Sequence, residues 1–401
     1  MSMSAAELKT ALSLALVFFL RMLPLFMILP ILSLANDDYI YSTPQLLGLA
    51  LGIYGLTQAV FQIPFGMLSD RWGRKPIIVL GLIIFGLGSL IAAMADSIYG
   101  LLIGRAMQGA GAVAAAIMAL AADLTKEESR TKVMAFIGIS IGAAFSIAFI
   151  AGPILYTYIG IDGLFYLGVC FSVLAIIALL TIVPNPTIKI EKINELNTQK
   201  IKAVFSNPAL IKLNISIFSS HLILMANFVA IPVSLKESMQ IIPAIHWQIY
   251  LKVIFLSLFI MVPFIFFGER LKKEKLFLIC SILLIACSQI GLALFDFNLN
   301  IMIVFLILFF GAFNYLEALL PSMVSKTTYE NTKGTALGVY STSQFIGIFI
   351  GGLVGGFFMQ HHGLASVHLL CLLITFIWLC LMIILSKIEK LGKNELEEKA
   401  V

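Results

Sequence analysis

The chain has 401 residues, 60% of them apolar and 12% charged, with a net charge of +5 and a mean hydropathy of +1.04. A soluble domain carries about 25% charged residues, and a fold in water has no means of burying this much apolar surface at this length. The composition excludes an ordinary soluble enzyme and makes the bilayer the solvent. The basic residues are scattered over short loops, so the net charge gives no nucleic-acid-binding face.

Twelve apolar runs are long enough to cross a membrane, which takes about 20 residues. They cover 8–34, 44–69, 77–95, 97–121, 132–157, 162–184, 209–235, 245–268, 276–295, 299–322, 334–359 and 364–386. Backbone in hydrocarbon must satisfy its own hydrogen bonds, so each run is predicted to be a helix. The runs are continuously apolar rather than alternating, which argues against a β-barrel. The first run is too long for a signal-peptide core and contains Arg21, so it reads as a span. Cys170, Cys280, Cys287, Cys371 and Cys380 all fall in spans without metal-ligand spacing to a histidine. They are read as small packing residues, with no metal and no cofactor implied.

Charge sets the predicted topology. Of the 26 Lys and Arg, 22 fall on one side: Lys9, the 71–75 loop, Lys126 to Lys132, Lys189 to Lys212, the 270–275 loop, Lys326, Lys333 and the tail. Only Lys236 lies opposite, with Lys252 near it, while Arg21 and Arg105 sit within spans. The positive-inside rule places both termini in the cytoplasm.

A polar stretch at 185–208 divides the spans six and six, and the halves repeat at about 200 residues. IPFGMLSDR (63–71) matches VPFIFFGER (262–270), and LFMILP (25–30) matches NFVAIP (227–232). Each half has an even number of spans, so the repeats share one orientation, as in transporters that rock about a central cavity. The expected organisation is a half over 1–184, a cytoplasmic linker over 185–208, a half over 209–386 and a tail over 387–401.

Gly66-x3-Asp70-Arg71-x-Gly73-Arg74-Lys75, between the second and third spans, resembles motif A of the major facilitator superfamily. Arg105-x2-Gln108-Gly109-x-Gly111 resembles that family's second motif. Gly152-Pro153 resembles the core of its antiporter motif, with Ala148, Tyr156 and Thr157 standing where glycines are usual. Leu20-Arg21 through Pro24 and Pro30 resembles the first-span motif of the drug:proton antiporters. GIYGLTQAVFQIPFGMLSDRWGRKP (52–76) and GTALGVYSTSQFIG (334–347) are similar to the YajR subgroup of that family, whose frequent extra C-terminal domain is expected to be absent here.

The resemblance implies an all-α membrane protein of twelve transmembrane helices in two pseudo-symmetric six-helix halves. It implies that Asp70 caps the eleventh span near Gly334 and that Asp123 partners Arg74, latching the cytoplasmic side shut. The residue types suit this: a carboxylate complements a helix N-terminus, and Arg forms bidentate carboxylate pairs. The second copy, FGERLKKEK (267–275), is worn and is expected to carry mainly topology charge. Small residues at Ala144, Ala148 and Gly152, and at Ser343, Gly347, Gly351 and Gly355, recur every four positions and permit close helix crossing, static or moving. Pro153 removes a backbone donor and is expected to bend its helix.

Ionisable residues within spans are functional candidates. Glu317 is the one acid inside a span away from its ends, about five residues from the inner end of the tenth. With His221, Arg21 and Arg105 it forms the set of proton-coupling candidates, against the plainer readings of a gate, a satisfied core histidine and arginines bonded to backbone at helix bends. Tyr54, Gln58, Gln62, Asn227, Asn314, Tyr340 and Gln344 are the cavity candidates, suited to an amphipathic organic substrate.

The expected function is secondary transport by alternating access in a bacterial inner membrane, as a monomer, with proton-coupled efflux of small hydrophobic or amphipathic compounds. Import of a nutrient or metabolite on the same scaffold is the alternative. A non-transporting receptor or sensor is the second. No HExxH, GxSxG, P-loop or paired catalytic carboxylates are present, so an enzyme is not expected.

Overall fold

The computed structural model describes residues 3–185, 202, 204–295, 298–328 and 332–398. Among these the chain is helical throughout, apart from turns and one isolated bridge between Ile40 and Ser97. The helices are α1 (Ala5–Met27), α2 (Pro44–Trp72), α3 (Arg74–Ala93), α4 (Ile98–Ala110) and α5 (Ala114–Asp123). A helical run over Glu127–Thr181 follows, broken at Gly160, whose φ is 67°, into α6 (127–159) and α7 (161–181). The second half holds α8 (Pro208–Glu237), α9 (His246–Arg270), α10 (Glu274–Leu294), α11 (Leu299–Thr327), α12 (Lys333–His362) and α13 (Leu364–Glu398). With α4 and α5 as one span, twelve apolar crossings result among the described residues.

Local chemistry sets many of the ends. Ser4 and Glu7 form a reciprocal capping box at α1. Thr43 and Asn207 cap α2 and α8, each followed by proline at the first helical position. Ser97 and Asn298 cap α4 and α11.

Several boundaries differ from the hydropathy reading. The first span ends at Met27, three residues before Pro30, and Leu32–Asp38 is a 3-10 turn. In the repeat-related position Pro232 lies inside α8, which continues to Glu237. Helix α11 runs through Pro321 to Thr327. Thr327 and Thr328 return their hydroxyls to the carbonyls of Met323 and Val324, so polar residues extend the helix past the apolar run. The segment expected as a tail continues α13 to Glu398, in keeping with its Lys, Glu and Leu content. The run over Glu127–Thr181 keeps helical dihedrals at Gly152-Pro153, and the break falls at Gly160 instead. Most of the expected linker lies outside the described residues, including Lys189, Lys192 and Lys200, as does Lys399.

The chain separates into two compact units, one drawn from 1–194 with 241–251 and the other from 195–240 with 252–401. In the first, α1 packs mainly on the α6–α7 run, and α4 packs on α2 and α3. In the second, α8 packs mainly on α12, while α10 packs on α11 and α13.

The two small-residue stripes make the corresponding crossing in each unit. A Cβ on Gly152 would stand 2.6 Å from the carbonyl oxygen of Met27 on α1. Cβ atoms on Gly347 and Gly351 would stand 2.3 and 2.2 Å from the carbonyls of Phe218 and Leu222 on α8. Both stripes therefore bring a helix against the first helix of its own unit, backbone to backbone.

Gly351→Ala is expected to cost about 1–3 kcal/mol through overpacking. Gly338→Ala, with nothing within 4 Å, should be neutral or gain up to about 1 kcal/mol from helix propensity. Thermal unfolding of the two purified variants checks this; equal behaviour would contradict the crossing.

Candidate functional site

In the first unit the motif residues converge on one guanidinium. Gly73, at φ 93°, ends α2 and turns the chain into α3, placing Arg74 at the start of that helix. Arg74 donates through Nε to Asp123 Oδ2 at 2.8 Å and through Nη1 to Ser69 Oγ at 2.9 Å, and it pairs with Asp70. The start of α3 is thereby tied to the ends of α2 and α5. Arg71 is exposed. A Cβ on Gly66 would stand 3.6 Å from Ala115 Cβ, an ordinary contact, so the site has room for one.

The second unit makes the same helix-to-helix link with the signs exchanged. Glu274, at the start of α10, accepts from Lys326, near the end of α11, at 2.8 Å. There the acid sits at a helix N-terminus and the base at a C-terminus, as the macrodipoles favour. In the first unit Arg74 opens a helix and Asp123 closes one, so both charges oppose the local dipole. Ser69 and Asp70 supply the compensation.

Two arginines are fully buried in the first unit, and their contacts are backbone, amides and rings. Arg21 Nη2 donates to Gly111 O at 3.1 Å and to Gln58 Oε1 at 3.2 Å, with its guanidinium 5.7 Å from the Phe85 ring centroid. Gly111 begins the interruption between α4 and α5, and its carbonyl accepts from Val113 N at 3.0 Å as well as from Arg21. Arg105 Nε donates to Ala50 O at 3.0 Å, and Nη1 donates to Gln108 Oε1 at 2.7 Å. Gln108 passes the chain to Ser89 at 2.8 Å, and the Arg105 guanidinium lies 4.8 Å from the Tyr54 ring centroid. Tyr54 and Gln58, expected to line a cavity, are buried against these arginines instead, and Gln62 is buried beside them on α2. Gly109 is held to glycine because a Cβ would stand 2.0 Å from Tyr54 O.

In the second unit α8, α11 and α12 bring four of the expected residues together. His221 Nδ1 is 3.7 Å from Glu317 Oε1, and His221 Nε2 is 2.8 Å from Gln344 Nε2. With Gln344 donating to Nε2, the histidine carries its proton on Nδ1 and donates to Ile217 O at 3.2 Å. The ring packs edge-on against Phe313 at 5.3 Å. Glu317 Oε1 and the buried Tyr340 hydroxyl make no hydrogen bond in this structure. Helix α11 continues ten residues beyond Glu317 to Thr327, so the acid lies well inside the helix rather than near its end. The Glu317 side chain is 36% exposed, against 6% for His221, while its Oε1, facing the histidine, is buried. Asn314, one turn before Glu317, donates to Ser257 on α9 at 3.3 Å. Asn227 is fully buried with both amide atoms unbonded.

The sequence did not single out Ser69, Ser89, Phe85 or Ser257. A mid-span serine carries no distinguishing pattern. The glycines at 109 and 111 were the available signal for the fourth-span break.

A sequence model of the Major Facilitator Superfamily matches residues 14–268 and again 213–400. The chain belongs to the major facilitator superfamily. It is 43% identical over 378 residues to the inner membrane transport protein YajR of Escherichia coli K12, covering 94% of this chain and 83% of that one. A class B tetracycline resistance protein of Escherichia coli is 33% identical over 137 residues, a third of each chain. Among solved structures, a bacterial homologue of the human lysosomal transporter Spinster superposes with a TM-score of 0.77 at 13% identity, covering 96% and 98% of the two chains. The protein is thus a multi-pass membrane transporter of the superfamily fold.

Arg74→Lys should lower stability by about 1–2 kcal/mol, because an ammonium has no fork to span Asp123, Ser69 and Asp70, and these groups are partly exposed. Arg71→Lys should leave the melting temperature unchanged. Thermal unfolding in detergent distinguishes the two; equal shifts would contradict the convergence on Arg74.

Proposed function

We propose that this superfamily transporter exports small hydrophobic or amphipathic compounds in exchange for protons, from the inner membrane of a bacterial cell. The observation that carries the proposal is the pairing of Glu317 with His221 inside the second unit, with Gln344 and Tyr340 around it. A lone carboxylate at membrane depth is costly, and a proton relieves that cost. Because Gln344 donates to His221 Nε2, a second proton on the ring would require the amide to turn over. The Gln344 amide is thus linked to the protonation state of the pair. The exposed side of Glu317 is where a proton or a substrate cation arrives.

The 66–74 cluster serves as the latch in this reading. Its charges are held against the helix dipoles in the first unit, whereas the second unit keeps the dipole-favoured pair. A local conflict maintained by three partners marks a functional contact rather than a purely structural one. The 33% identity to a tetracycline resistance protein over 137 residues supports efflux of an organic compound. The altered antiporter motif at Ala148, Tyr156 and Thr157 favours the second reading, import of a metabolite on the same scaffold.

Substrate-screened uptake into inside-out membrane vesicles separates the two. Export predicts accumulation that needs an acid interior and collapses with a protonophore. Accumulation only in intact, right-side-out cells would overturn export.

A further inference from the structure

The first unit buries two positive charges, and every partner they have among the described residues is neutral. Arg21 on α1 and Arg105 on α4 are both 0% exposed. They address one face of α2 a single turn apart. Arg21 bonds Gln58, and Arg105 lies over the ring of Tyr54, four residues earlier. That offset is a rise of about 6 Å along the helix. Every acid of residues 1–184 falls outside the apolar runs or at their ends, as do Glu7, Asp70, Asp123 and Asp162. The ionisable side chains within electrostatic reach are Tyr54 for both arginines and Tyr39 for Arg105.

Neutral oxygens satisfy N–H groups without balancing charge. A buried acid can neutralise itself by taking up a proton, but a guanidinium keeps its charge at any working pH. The hydrogen bonding is incomplete as well. Arg21 Nε, Arg105 Nη2 and Gln58 Nε2 are buried donors without an acceptor. Against these three, the same face of α2 offers one spare acceptor, Gln62 Oε1. The Gly111 carbonyl that Arg21 uses is shared with Val113 N. Water would serve the three donors but leave both charges standing, one turn from each other. An anion serves the donors and the charges together.

We infer that Arg21 and Arg105 together bind one small monovalent anion of the halide class, over the α2 face that carries Tyr54 and Gln58. Arg21 Nε, Arg105 Nη2 and Gln58 Nε2 are the donors available to it. Complete burial of both guanidinium groups restricts the occupant to an ion of this size, since a larger organic anion would need the unit to open. The site lies wholly in the first unit. It is independent of the Glu317–His221 pair and of the direction of transport.

The test is equilibrium dialysis of the purified full-length protein against radiolabelled chloride, with thermal unfolding followed in chloride and in gluconate at equal ionic strength. Retention should saturate at a single ion per chain. Chloride should raise the unfolding midpoint above its value in gluconate, and the gain should grow with chloride concentration by mass action. Gln58→Leu removes one donor and keeps both charges, and it should weaken retention at least about tenfold, the scale of a hydrogen bond to a charged group. Arg105→Gln should abolish retention; should that variant not fold, Gln58→Leu decides. Lys272→Gln, at an exposed position of the 270–275 loop, removes the same charge far from the site and should leave retention within about twofold. Absence of saturable retention, equal midpoints in chloride and gluconate, or undiminished retention in Gln58→Leu would each overturn the site.

Discussion

A charge within hydrocarbon must be met by protein, and the buried arginines of the first unit and the acid of the second answer that constraint differently. Arg21 reaches across from α1 to the Gly111 carbonyl in the interruption of the fourth span, which accepts from Val113 N as well. Arg105 donates to the Ala50 carbonyl within α2 and recruits Gln108 and Ser89 behind it. These cations use carbonyls, amides, aromatic faces and the Met22 sulfur, and so link α1, α2, α3 and the broken fourth span of the first unit. In the second unit the charge within a helix is an acid, and its nearest basic neighbour is a histidine whose own proton is committed to a backbone carbonyl. In the proposed coupling, the acid is the group that takes the mobile proton.

The same comparison gives the internal repeat physical content. Both units cross their first and fifth helices through small residues, and both tie the start of the third helix to the end of the fourth by an ion pair. The repeated geometry comes from packing. The chemistry diverges: Arg74–Asp123 opposes the helix dipoles where Glu274–Lys326 complements them. Arg270, the counterpart of Arg71, lies 5.6 Å from the Phe266 ring centroid. The worn copy also carries an ion pair, oriented as the helix dipoles favour.

Much of the architecture was legible because lipid leaves so few solutions. Continuous apolar runs gave twelve helices, and the resemblance of residues 66–75 and 105–111 gave the family. Helix ends were less legible, because hydropathy reports where water begins rather than where hydrogen bonding stops. Thus α11 outruns its apolar segment by using threonine hydroxyls, and α1 stops before its apolar segment does. At the candidate site, Glu317, His221, Tyr340 and Gln344 were each visible as polar residues in spans. Their meeting was not, because it depends on the rotation of α8, α11 and α12 about their own axes. The contacts of Tyr54 and Gln58 with the buried arginines were hidden for the same reason: helical spacing shows that they share a face, not which neighbour that face meets.

The central claim is that Glu317 carries the coupling proton. Proteoliposomes containing wild type or Glu317→Gln, loaded with an identified substrate, test it by comparing gradient-driven accumulation with exchange at equilibrium. The account predicts that the variant still exchanges labelled for unlabelled substrate but no longer accumulates it when a proton gradient is imposed. Undiminished gradient-driven accumulation in Glu317→Gln would contradict it.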